Sequence, residues 1–421
     1  MEKKQWREPV QYLAAFLRWA ATGCVIGVLC GLVGAVFAIA VDKATALHAQ
    51  HGWLLYALPA AGLIIAGLYR LLRLPLSIGT DKIIATVRTQ EKVPVLMAPA
   101  IFCSTVLTHL CGGSSGREGA ALQLGGSIGA YVGDLTHPDP QADTRRIFEL
   151  CGMAALFSAL FGTPVTAAVF VLEIIDVGKF NDRALLPCML SAVVADLAAR
   201  FVGAPLEPFA VAGGLAAVDA LSIAQAAGLG AVCALVAVLF CVMMHLGGSV
   251  QKKLIKNDFA RIAVGGALVI ALTLLVGSRD YNGGGAHTIV HALQGHAKPE
   301  AFLLKILFTA VTLGAGFKGG EIVPSFFVGS TLGCTAAGLL GMDPALGAAL
   351  GLAAMFAGVT NAPLASILLS VELFGAEYLP LFGVAVAVSF MLSGHFSLYH
   401  EQRFVQSKLG RRREDEGVPS H

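Results

Sequence analysis

The chain has 421 residues, of which 56% are apolar and only 13% charged, with a mean hydropathy of +0.74. Soluble globular domains carry about 25% charged residues, so this chain is not solvated all round. Its net charge of +2 is too small to support nucleic-acid binding.

The basic residues gather at the two ends, with Lys3, Lys4 and Arg7 at the start and Lys408, Arg411, Arg412 and Arg413 at the finish. The positive-inside bias puts both termini in the cytoplasm and requires an even number of full crossings. The first apolar run, from about Trp19 to Val41, exceeds the roughly 7–15 residues of a cleaved signal segment and reads as a retained membrane helix. Long apolar segments near 19–46, 53–73, 219–246 and 259–277 each reach the roughly 20 residues of a spanning helix. Shorter pieces lie near 80–90, 94–110, 119–134, 146–160, 164–177, 184–203, 301–315, 325–341, 344–358, 363–375 and 379–396, punctuated by Gly and Pro. Short apolar helices of this kind predict re-entrant and half-spanning elements whose broken ends are buried or line a cavity. Nine cysteines are scattered singly, mostly in apolar runs, and read as small packing residues.

Four anchors recur in the same order at offsets of about 190–210 residues. Ser77 to Ile84 pairs with Gly283 to Val290. Gly116-Arg117-Glu118-Gly119 with Gly126 to Gly129 pairs with Gly320 to Val323 with Ser330 to Gly333. Thr163-Pro164 followed by Glu173 pairs with Ala362-Pro363 followed by Glu372, and Leu186-Pro187 pairs with Leu379-Pro380. A duplicated fold is expected, with a first repeat over 1–210, a second over 211–421, and a tail too short for a soluble regulatory domain. Similarity alone leaves parallel and inverted arrangements open. An odd number of crossings in the first repeat favours inversion, within an all-α polytopic membrane protein.

Three glycine-rich breaks precede apolar helices, at Gly79, at Gly116 to Gly119 and at Gly319 to Pro324. Helix N-termini present unpaired N–H groups and partial positive charge, so converging breaks make an anion site at membrane depth. Charges at that depth cost about 2.5–3.5 kcal/mol each on insertion scales, which singles out Arg117, Glu118 and Glu321. Glu173 and Glu372 close apolar runs and are expected at helix ends near the interface. His287, His291 and His296 are spaced like a ligand set but lie in one polar loop and helix start without a companion carboxylate. No metal and no cofactor is assigned.

The Gly-Arg-Glu-Gly stretch, the later Gly-Gly-Glu-Ile-Val-Pro, the two Pro-to-Glu pairs and Tyr399 together resemble the CLC family of chloride channels and proton-coupled anion antiporters. The resemblance covers about residues 20–405. It implies a homodimer with one anion pore per subunit, built from two inverted halves of tilted and partial helices. Carried onto matching positions, it implies that Glu118 is the gate and proton carrier. Tyr399 points at the central anion, unless it is an interfacial belt residue. Ile322 and Val323 offer backbone N–H groups. Gly79, Thr80, Gly116, Arg117, Gly119 and Gly320 complete the expected anion surroundings, with Phe326 and Phe327 lining the path or packing in the core. A salt bridge between Glu118 and Arg117 is disfavoured, because adjacent helical residues do not face one another.

The chain departs from the chloride-type pattern. Gly-Ser-Gly-Ile-Pro is replaced around Ser77 to Asp81, so any of Ser77, Ile78, Gly79 or Thr80 could take the central position. Ala120 follows Gly-Arg-Glu-Gly where proline is usual, Ile174 stands where chloride antiporters have a second proton-handling glutamate, and Glu321 occupies a usually apolar position. This combination resembles the fluoride/proton antiporter branch, with Glu321 as an auxiliary proton or fluoride group or as a cap of the following helix. Lys82 departs from that pattern too, and is expected to snorkel to an interface or attract anions at the entrance. The expected function is export of fluoride in exchange for protons across a bacterial inner membrane. Chloride/proton antiport and a passive anion channel are the alternatives within the family. A membrane enzyme or assembly factor is the alternative outside it.

Overall fold

The computed structural model describes residues 7–89, 91–136, 142–206, 209–211, 218–409 and 418–419. Lys3, Lys4, Arg411, Arg412 and Arg413 lie outside the described residues, as do 207–208 and 212–217 on either side of the expected boundary between repeats. The described chain is almost wholly helical. Its first half contains α1 (Arg7–Gln50), a 3-10 turn (Gly52–Ala57), α2 (Leu58–Leu71), α3 (Thr80–Thr89), α4 (Met97–Leu110), α5 (Glu118–Thr136), α6 (Ala142–Phe161), α7 (Pro164–Glu173) and α8 (Asp182–Val202). The second contains α9 (Ala220–Leu254), α10 (Asp258–Val276), α11 (Ala286–Leu293), α12 (Ala301–Ala315), α13 (Ile322–Leu340), α14 (Pro344–Thr360), α15 (Pro363–Phe374) and α16 (Leu379–Leu392).

Proline and glycine set these boundaries. Pro lies in the first turn of α2, α7, α14, α15 and α16, where a missing N–H costs nothing. Left-handed Gly203, Gly277, Gly316 and Gly341 close α8, α10, α12 and α13. The helix expected over 19–46 runs further in both directions, because the polar residues flanking its apolar run are still good helix formers. One departure from an all-helical chain is a minute sheet, in which β1 (Asp176–Val177) pairs parallel with β2 (Arg403–Phe404) and β2 antiparallel with β3 (Val418–Pro419).

Among the described residues, six helical stretches are long and apolar enough to cross a membrane. In α13 the most apolar window is 78% buried inside the protein, so this helix is wrapped by its neighbours rather than by lipid. Glycine makes that wrapping possible. A Cβ at Gly125 of α5 would collide with the carbonyl of Gly152 on α6, and one at Gly329 of α13 with the carbonyl of Gly351 on α14. These two backbone-to-backbone crossings occupy corresponding places in the halves, as small-residue packing in a bilayer requires.

The halves also meet through matched polar contacts. Glu173, ending α7, accepts the Leu364 and Ala365 amides of α15 at 3.0 and 2.9 Å. Glu372, near the end of α15, accepts the Val165 and Thr166 amides of α7 at 3.0 and 2.8 Å. Each carboxylate therefore caps the other half's helix, and the end of α7 lies at the start of α15 and vice versa. Such reciprocal, antiparallel contact is what inverted halves produce. The helix-end expectation for both glutamates holds, but each carboxylate is spent on two amides across the junction. Replacing a capping side chain with Ala typically costs about 1–2 kcal/mol. Glu173→Ala and Glu372→Ala should each lower stability by that amount, read from the thermal unfolding midpoint of detergent-solubilised protein.

Candidate functional site

The two central breaks are joined directly. Gly116 N–H donates to Gly320 C=O at 2.7 Å and Gly320 N–H to Gly116 C=O at 2.8 Å, a single antiparallel bridge between loops 204 positions apart. The contact is so close that a Cβ on Gly320 would collide with the Gly119 amide. The bridge holds the N-termini of α5 and α13 against one another inside the protein. Ile322 and Val323, both buried, open α13 and carry its first amides, which have no acceptor within the helix.

The third break is tied to the same place. Thr80, opening α3, donates its hydroxyl to the Gly119 carbonyl at 3.3 Å, and Gln123 Nε2 reaches both Thr80 Oγ1 (3.3 Å) and Gly119 O (3.2 Å). Lys318 Nζ, approaching from the loop before α13, donates to the carbonyls of Leu76 and Ile78 at 2.7 and 2.8 Å and lies 4.5 Å from the centre of the Tyr69 ring. All three glycine-rich breaks therefore converge.

Glu118 is the first residue of α5 and is 2% exposed. Its carboxylate folds back on its own helix end: Oε2 accepts the Arg117 amide at 2.8 Å, and Oε1 stands 3.7 Å from Arg117 Nε. The ion pair disfavoured from sequence is thus present. Arg117 precedes the helix, so the rule that helical neighbours point apart does not apply to it. Arg117 is itself buried, and its Nη2 donates to the Leu160 carbonyl at 3.4 Å.

A cavity of about 180 Å³ abuts this junction, lined among others by Ser77, Thr80, Gln123, Lys318, Glu321 and Tyr399. Glu321 is the N-cap residue of α13 without a side-chain cap bond to the amides of that helix's first turn, and a Cβ added at Gly119 would meet its carboxylate oxygen. Tyr399 is 2% exposed, which removes it from any lipid-facing belt. Its segment is fixed by Leu398 N–H to Val359 C=O at 2.9 Å and by Tyr399 N–H to Ser397 Oγ at 3.0 Å. Gly79 also borders the cavity, whereas Glu118 does not. Phe326 and Phe327 are fully buried and do not border it either: Phe326 packs on Phe161 and Phe356, and Phe327 on Tyr281. Lys82 pairs with Glu91 at the surface.

Three participants carry no sequence assignment: Gln123, Lys318 and Lys305. Lys305 lies in the middle of apolar α12, fully buried, with Nζ 3.2 Å from Tyr281 O and 2.6 Å from Gly283 O. A lysine inside an apolar run is itself a signal, since an ammonium at membrane depth needs partners. Among the described residues no group of three metal-ligating side chains comes together.

Lys318→Met should leave the Leu76 and Ile78 carbonyls buried without donors, at about 1–3 kcal/mol for each unsatisfied group. The expected outcome is a lower unfolding midpoint together with weakened anion binding in a titration of purified protein. Lys318→Arg should preserve more of both.

The profile of the family described as "Voltage gated chloride channel" matches residues 61–394. A protein of Pseudomonas syringae pv. tomato described as "Chloride/fluoride channel protein" is 36% identical over 416 residues, covering 97% of this chain and 91% of the relative. The crystal structure of a CLC-type fluoride/proton antiporter superposes with a TM-score of 0.87 at 30% identity, covering 92% of this chain and 98% of that one. A slow cyanobacterial Cl-/H+ antiporter, at 20% identity and a TM-score of 0.74 over 89% of this chain and 94% of that one, shares the fold. With its converging helix ends and these matches along nearly its full length, the chain belongs to the CLC family of voltage-gated chloride channels and related transporters.

Proposed function

We propose that the chain exports fluoride in exchange for protons, as a homodimer in a bacterial inner membrane with both termini in the cytoplasm. Family membership sets aside the membrane-enzyme and assembly-factor alternatives. The observation that carries the reading is the Gly116–Gly320 bridge, which sets two helix N-termini beside the carboxylates of Glu118 and Glu321. Halves 1–210 and 211–421 contribute one break each to that bridge.

The ionised Glu118 carboxylate, on the Arg117 amide at the tip of α5, occupies the kind of place an anion takes. An arriving anion displaces it, and protonation lets it leave neutral, so one side chain couples the two ions. Fluoride loses a strongly held water shell on entry and needs close donors in exchange. A protonated Glu321 supplies a short charge-assisted hydrogen bond in the cavity it shares with Thr80 and Tyr399, or relays the proton that Ile174 cannot. Gly79, Thr80, Gly116, Gly119, Gly320, Ile322 and Val323 form the backbone cradle, Arg117 supports Glu118, and Phe326 and Phe327 wall the path beyond the cavity. Lys252 and Arg261 also line the cavity, and such a basic rim fits a cytoplasmic mouth.

The test is flux through purified protein in liposomes. A proton gradient should drive fluoride uphill, and the reversal potential should shift with pH. A potential blind to pH would mean a passive channel, the reading favoured by the description of the Pseudomonas relative. Preference for chloride over fluoride would sink the fluoride assignment. Glu118→Gln should reduce proton movement to that of protein-free vesicles. Glu321→Leu removes one hydrogen bond involving a charged group, worth about 1.5–3 kcal/mol, and should cut the preference for fluoride over chloride by about tenfold or more.

A further inference from the structure

On the face of α11, His287 and His291 stand four residues apart, one helical turn, so both rings leave the same side. Both are exposed, and their Nε2 atoms lie 3.1 Å apart, one ring nitrogen donating to the other. We infer that His287 and His291 form a two-histidine site for a divalent transition metal such as Zn²⁺ or Ni²⁺, at the edge of a cavity of about 530 Å³. Metal–nitrogen bonds of about 2.0–2.1 Å set donors about 2.9–3.4 Å apart in neighbouring positions of octahedral or tetrahedral coordination. The observed spacing of 3.1 Å falls inside that range.

The metal takes the place of the shared hydrogen. Proton exchange through water puts the remaining ring proton on Nδ1, leaving each Nε2 lone pair for the ion. Among the described residues no third ligand completes the set, so water fills the remaining positions. Asp280 in the same cavity is engaged by Lys298 at 2.9 Å, and His296 lines the wall. Imidazole donors select Zn²⁺, Ni²⁺ and Cu²⁺ over Mg²⁺ and Ca²⁺, which prefer oxygen. The turn leading into α11 is bonded to the loop that precedes α5 and Glu118: Asn282 Nδ2 donates to Gly112 O at 2.8 Å and Gly283 N–H to Gly113 O at 3.1 Å. The site therefore stands one element away from the central junction.

Calorimetric titration of Zn²⁺ into untagged full-length protein in detergent tests this directly. The expected result is one equivalent bound per chain, no binding of Mg²⁺, and affinity lost by more than about a hundredfold in His287→Ala and in His291→Ala. Loss of a ligand should exceed the roughly 10–100-fold cost of removing a mere outer-shell partner. His296→Ala should bind as the parent does. Both ligand positions are on the surface, so an unchanged gel-filtration profile separates lost binding from misfolding. No binding by the parent protein, unchanged affinity in both ligand variants, or equal loss in His296→Ala would each overturn the assignment.

Discussion

Two hydrogen bonds between Gly116 and Gly320 hold the central junction of the fold together. Inside a membrane protein, backbone that leaves helical geometry must find partners from elsewhere in the chain. Here each broken loop satisfies the other, and the two helices that follow begin side by side. The amides at their first turns are left without intrahelical acceptors, in a place that bulk water does not reach freely. That combination concentrates positive potential without burying a free cation at its centre, and it is where a titratable carboxylate has been placed.

The junction depends on packing that brings backbones unusually close. The α5–α6 and α13–α14 crossings let helices touch with no side chain between them at Gly125 and Gly152, and at Gly329 and Gly351. At the far ends of α7 and α15, Glu173 and Glu372 exchange caps across the halves. The half-to-half contact is thus fixed by directed bonds at separate places, so a shift at one would break geometry at the other. Close packing alone leaves helices free to slide, whereas paired caps and a backbone bridge do not.

The elements were legible because their punctuation is local. Proline in a first turn or glycine past a last one marks many of the helices, and the recurrence of Thr163-Pro164 with Glu173 as Ala362-Pro363 with Glu372 exposed the duplication. The convergence of the three breaks was legible only as a consequence of that duplication. What stayed hidden was pairing across the chain. Nothing near Glu173 in sequence reveals that its partners are Leu364 and Ala365. The Glu118–Arg117 pair was misjudged for a local reason, the assumption that both residues lie within a helix when Arg117 precedes it. Lys318 was visible inside a recognised motif and Lys305 inside an apolar run, but their partners are carbonyls, which carry no sequence signature.

Those lysines answer an electrostatic problem that converging helix ends create. A break that presents N–H groups to one side must present C=O groups to another, and carbonyl oxygens repel an anion as surely as amides hold it. Lys318 occupies the carbonyls of Leu76 and Ile78, in the turn before α3, and Lys305 those of Tyr281 and Gly283, in the turn before α11. The two turns occupy corresponding positions in the halves, and each is served by one buried ammonium. Each lysine spends donors on oxygens that would otherwise lack a partner, which lowers its own cost of burial.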